Sequence, residues 1–181
     1  MSIATHETRP DTGFSSAQLG LYLFLAADAM FYGALFSSYA LLRTAAETWE
    51  RGHGLVVGGL GGAAMIALAV AALAPRLSSR PQRLIVISFL LAMVFSLGLE
   101  GALHALDLPP AKSTYWALVC LFNLVLLLHL IGGLAVGTWI WLRDGRTPEA
   151  SEAAARLSLT AVYAGATLLF AGGGLAMLLW L

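Results

Sequence analysis

The sequence predicts an all-α integral membrane protein, a bundle of five transmembrane helices with its N-terminus in the cytoplasm and its C-terminus outside. Three observations predict it: an apolar composition, five long apolar runs, and an uneven placement of Lys and Arg. Of 181 residues, 59% are hydrophobic and 11% charged, with a mean hydropathy of +0.82. A soluble domain has roughly 45–50% apolar residues. A spanning helix needs about 20 mostly apolar residues, and such runs lie at roughly 18–42, 55–74, 84–106, 115–142 and 157–181. The remainder is a polar arm over residues 1–17 and four connections of roughly 8–14 residues, so residues 18–181 read as one transmembrane domain.

Basic loops resist translocation, which fixes the expected orientation. Arg9 in the arm, Arg76, Arg80 and Arg83 in the second connection, and Arg143, Arg146 and Arg156 around the fourth put seven of the ten basic residues on one side. Arg43, Arg51 and Lys112 are left for the other. The richer side is expected to be the cytoplasm, or the matrix of a mitochondrion. The arm carries His6, Glu7, Arg9, Pro10 and Asp11 and lacks both a basic n-region and an apolar h-region. It does not read as a signal peptide, and the first run is expected to serve as its own insertion signal. A formal net charge of zero, with the bases at helix ends where they anchor to headgroups, points away from nucleic acid.

Each run has recognisable ends. Arg43 closes the first, Pro75-Arg76 the second, Asp107 with Pro109-Pro110 the third, and Arg143-Asp144-Gly145 the fourth. Glycines inside the runs matter because lipid gives helices no hydrophobic reason to associate, and small residues let backbones approach. Gly58 with Gly62 and Gly133 with Gly137 form small-xxx-small pairs, and Gly172-Gly173-Gly174 is expected to interrupt the fifth helix. Glycine is also simply common in membrane helices. Serine, threonine and asparagine are scarce in the spans, which argues against a wide aqueous pore.

Asp28, about ten residues into the first run, sits near mid-membrane and is the most informative residue of the chain. An aspartate there costs roughly 2.5–3.5 kcal/mol to insert, so it should face protein or water. Tyr32 and Tyr39 share its stripe at i+4 and i+11, and the stripe is expected to look inward. Two readings stand: a functional carboxylate, or a neutral acid hydrogen-bonded to its surroundings, with Tyr32 its nearest companion in sequence. Glu100 and His104 are four residues apart near the end of the third run, followed by Asp107, and can touch along one face. They read as a proton site or as an ordinary polar helix end. His129, central in the fourth run with Gly133 and Gly137 continuing its face, reads as a histidine at a tight helix crossing or as a metal ligand.

Cys120 is the only cysteine, which rules out an intrachain disulfide and the paired thiolates of a dinuclear copper centre. Of His6, His53, His104 and His129, only the last two lie in spans, and at different depths. Bis-histidine haem ligation needs matched depths, so the chain is expected to hold no metal and no redox cofactor of its own.

The stretch from Gln18 through Gly20, Tyr22, Asp28, Met30, Phe31 and Tyr32 to Tyr39 and Arg43 resembles the first conserved helix of subunit III of haem-copper oxidases such as cytochrome c oxidase. Asp28 falls where that family usually has glutamate. A second segment, Ser113-Thr114-Tyr115 through Phe122 to His129-Leu130-Ile131-Gly132-Gly133, is similar to the family's Ser-Thr-Phe opening and His-Val-x-x-Gly segment. Span number and order agree with the five-helix bacterial form over nearly the whole chain. Leu126 stands where the family often has a second histidine, and Tyr163 is followed by Ala164, Gly165 and Ala166 instead of Trp-His-Phe. These departures also fit the related NorE-like proteins associated with nitric oxide reductases. The resemblance implies a non-catalytic, cofactor-free accessory subunit of the bacterial cytoplasmic membrane, packed against subunit I, which holds the haems and copper, with subunit II in the same complex. It further implies bound phospholipid in a cleft near the intramembrane carboxylate and support for the partner's proton uptake in aerobic respiration. A small proton-coupled transporter carrying its proton on Asp28 is the rival from another class, and such a protein is expected to show inverted repeats or broken helices. No convincing repeat relates the two halves.

Overall fold

The computed structural model describes residues 15–46, 49, 54–144 and 150–180, with the side chains of 144 and 150–153 left aside. The arm up to residue 14, together with Arg51, His53 and Arg146, lies outside the described residues. Five helices follow in order: α1 (Ser16–Ala45), α2 (Gly54–Leu77), α3 (Pro81–Ala105), α4 (Thr114–Asp144) and α5 (Ala150–Trp180). All five are long and apolar enough to cross a membrane.

The ends of the helices follow from local chemistry. Ser15 caps α1, its hydroxyl accepting from the Gln18 amide at 3.2 Å while the Gln18 side chain accepts from the Ser15 amide at 2.9 Å. This capping box starts α1 two residues before the apolar run does, inside the stretch expected to be arm. Pro81 opens α3, where its missing N–H costs nothing. The end of α3 is a Schellman turn made without glycine. Asp107 takes the left-handed conformation with φ of 53°, its amide donates to the His104 carbonyl, and the Leu108 amide donates back to Leu103. Leu103 and Leu108 are both buried, giving the apolar contact that accompanies this motif. Ser113 caps α4 through the Trp116 amide at 3.4 Å.

Helices α2, α3, α4 and α5 form a closed ring in which α2 packs on α3 and α5, and α4 packs on the same two. Helix α1 stands outside this ring against α5. The core has two chemically different ends. One is aromatic, with Tyr32, Tyr39, Tyr115, Trp116 and Phe122 among its buried members. The other is built on small side chains, Ala64, Ala67, Ala71 and Ala74 of α2 with Ala92 and Ala164, closed by Phe89 and Leu130.

The glycine expectations divide. Gly133 lies so close to the Phe89 ring that a Cβ would overlap it, and a Cβ at Gly137 would stand 3.3 Å from Ile85, so this pair is the α3–α4 crossing. Gly58 touches Leu179, but Gly62 faces open space; the close approach on α2 is at Gly61, where a Cβ would stand 2.9 Å from Leu175. The expected pair of Gly58 and Gly62, four residues apart, is thus replaced by close approaches at Gly58 and Gly61, three residues apart and facing two leucines of α5. Helix α5 is not interrupted by Gly172-Gly173-Gly174. Its hydrogen-bonded backbone runs through, and the absent side chains instead admit Phe36 beside Gly173 and Phe122 beside Gly174, whose rings would stand 3.3 and 2.7 Å from an added Cβ.

Candidate functional site: a buried Asp–His pair, a polar seam and an apolar cleft

Only Asp28, Tyr32 and Tyr39 of α1 are buried, as the i, i+4, i+11 spacing predicts. Asp28 is twelve residues into α1 and His129 fifteen into α4, so both sit near the middle of their helices. They meet there. His129 Nε2 lies 2.9 and 3.0 Å from the two carboxyl oxygens of Asp28. The other ring nitrogen, Nδ1, lies 2.7 Å from the Val125 carbonyl oxygen. A carbonyl only accepts, so Nδ1 carries a proton. The Asp28 contact then holds one further proton, on Nε2 or on the carboxyl, and the pair is neutral as a unit in either form. Without that proton a carboxylate would face the Nε2 lone pair and leave a net charge at mid-membrane, which is strongly disfavoured.

Tyr32 was expected as the companion of Asp28, and its role is different. Its ring stacks on Phe170 with centroids 5.2 Å apart and lies 5.9 Å from the His129 ring, but its buried hydroxyl has no hydrogen-bond partner among the described residues. Burial on α1 therefore follows the predicted stripe, while the hydrogen bond crosses to α4. On the far side of the imidazole, Tyr163 of α5 stacks at 6.3 Å and donates its hydroxyl to the His129 carbonyl at 2.9 Å. Phe24 completes the enclosure at 6.3 Å. Tyr39 donates to the Met177 carbonyl at 2.8 Å, a second polar tie of α1, this one to α5.

Glu100 and His104, which the i, i+4 spacing allows to touch, turn to different surroundings. His104 is exposed, and the Glu100 carboxyl turns across to α4, where Asn123 Nδ2 donates to it at 2.8 Å. Asn123 also donates to the Ser96 carbonyl at 3.0 Å and accepts from the Ser96 hydroxyl at 2.6 Å. Sequence reasoning passed over Asn123, although it is the chain's single asparagine and stands in the middle of an apolar run. That isolation was the available signal. Asp107 is exposed and serves the turn after α3.

Between the first half of α1, the second half of α4 and the first half of α5 lies an open cleft of about 490 Å³. Leu21, Phe24, Val136 and Tyr163 make its apolar walls, and Trp139 and Arg156 lie toward the end where α4 finishes and α5 starts. There Arg143 and Arg156 stand over the Trp139 ring at 5.1 and 5.9 Å from its centroid. Phe24 and Tyr163 belong both to this cleft and to the enclosure of His129.

No protein-family model matches the chain, and comparison with curated proteins finds no match.

Proposed function

We propose that the chain is an accessory, cofactor-free subunit of the subunit III kind in a haem-copper terminal oxidase of a bacterial cytoplasmic membrane. It lies beside subunit I in a complex that includes subunit II, with its N-terminus inside and C-terminus outside, and sustains the proton uptake of the catalytic subunit. One observation carries this reading. The two segments that resemble the family, one around Asp28 and one around His129, are 101 residues apart in sequence and supply the two halves of one buried contact. Motifs that match by chance have no reason to converge on a mid-membrane hydrogen bond.

The cleft fits the phospholipid part of the reading. Acyl chains take its apolar walls, and Arg143, Arg156 and Trp139 stand where a headgroup phosphate and the interfacial region meet. A lipid seated there touches Phe24 and Tyr163, and so the enclosure of His129.

Purification of a tagged chain from its own membranes in mild detergent tests the proposal. Haem absorbance that elutes with the chain, accompanied by larger subunits with oxygen-reducing activity, is the expected result. A haem protein that reduces nitric oxide instead would move the chain to the NorE-like branch, and a haem-free homo-oligomer would overturn the proposal. Expressed alone, the chain is expected to carry neither haem nor copper.

A further inference from the structure

The mid-membrane pair is closed within the chain, but Glu100 is half open. It lies five residues before the end of α3, about 7.5 Å along the axis from that end and still within the apolar span. One carboxyl oxygen is held by Asn123, which Ser96 fixes in turn with both its hydroxyl and its carbonyl. Glu100 is partly exposed on the outer side of the α3–α4 seam, and its only hydrogen bond to nitrogen or oxygen among the described residues is that one. The half-buried thiol of Cys120 is its other polar neighbour, and a thiol is a weak donor. The ground around it is apolar and low: Leu97, Leu121 and Leu124 are exposed, and Gly101 has nothing within 4 Å of where a Cβ would stand. Acyl chains offer a carboxyl group no hydrogen-bond donor, and polar groups at this depth face protein or water. A glycine beside it lets a neighbouring backbone come close.

We propose that the α3–α4 seam around Glu100 and Gly101 is the docking face for a transmembrane helix of the haem-bearing catalytic subunit, one that presents a hydrogen-bond donor side chain to Glu100 at this depth. The occupant rests on the function proposed above; the need for a donor rests on the carboxyl itself. Helix α1 covers α5 on another flank, so the seam is open to such a helix.

The test is the haem-to-chain ratio after purification in mild detergent, measured for the native chain and four variants. Glu100→Gln, which keeps a hydrogen-bonding end, is expected to stay within about twofold of the native ratio, and Glu100→Leu to lose tenfold or more. Gly101→Leu adds bulk at a position where a Cβ has no atom within 4 Å, and it is expected to lose haem likewise while eluting as a folded protein. It decides the matter if Glu100→Leu fails to fold. Gly20→Leu, equally open but on α1, is expected to keep the native ratio. If the native chain brings no haem, the function proposed above fails and this occupant with it. If the native chain brings haem and Gly101→Leu brings as much, the docking face is overturned and the function stands.

Discussion

Helix α1 buries Asp28, Tyr32 and Tyr39 and turns Leu23, Met30, Phe31 and Leu41 outward, whereas α2 buries Val57, Gly61, Ala64, Leu68, Ala71 and Ala74. Both are apolar helices of spanning length, and they are attached by opposite chemistry. Helix α2 sits inside the ring and holds by close packing of small side chains, the usual solution where lipid is as apolar as leucine. Helix α1 sits outside it and holds by two polar ties, the Asp28–His129 pair and the Tyr39 hydroxyl on the Met177 carbonyl, with the Tyr32–Phe170 stack between them in sequence. A helix tied at a few points keeps a cleft beside it, and the cleft lies between α1 and the α4–α5 pair. Dense packing would have closed it.

The largest effect is expected where a tie is cut on one side only. Asp28→Leu leaves His129 Nε2 without its partner at mid-membrane and should cost about 3 kcal/mol in SDS titration of the folded chain, the low end for opening a buried pair. Asp28→Asn should cost much less, because the amide donates to Nε2 while Nδ1 keeps its proton on the Val125 carbonyl. The same variant sharpens the functional reading. If Asp28 only ties α1, the Asp28→Asn complex retains most of its activity, and an assembled but inactive complex would make Asp28 a proton carrier.

Next comes the packing side of the comparison. Gly133→Ala drives a methyl group into the fully buried Phe89 ring and should cost about 1–3 kcal/mol in the same titration. Gly62→Ala meets nothing and should stay within about 0.5 kcal/mol of the native chain. A similar loss at both positions would mean that glycine serves the α2 and α4 helices for some reason other than contact.

These two glycines also show how far the sequence could be read. Spans, their order and the inward stripe of α1 follow from periodicity and from the cost of an aspartate in lipid, so they were legible without a structure. Gly61 and Gly62 are adjacent in a run of four glycines interrupted once by leucine, and periodicity alone cannot choose between them. The choice belongs to Leu175, on another helix. Asp28 and His129 were each singled out, but their meeting depends on α1 lying beside α4, a fact of helix arrangement that no local pattern carries. Sequence spacing offered Glu100 only neighbours on its own helix, such as His104 at i+4; Asn123 took its carboxyl because it faces the same seam from α4.

Cutting the second tie of α1 is expected to cost less than cutting the first: Tyr39→Phe removes one interhelical hydrogen bond and keeps the ring against Trp49, and about 0.5–1 kcal/mol is expected. A larger loss would show that α1 depends more on its second tie than on its first.

The central claim is that Asp28 and His129 act as one unit in holding α1. A double-mutant cycle with Asp28→Leu, His129→Leu and both together, read as unfolding free energy in mixed micelles, tests it most directly. The pair account predicts that the double variant loses less than the two single losses added, by at least about 1 kcal/mol, because the second substitution removes a group the first left unpaired. Additive losses would contradict it, leaving two independent side chains that happen to lie 2.9 Å apart.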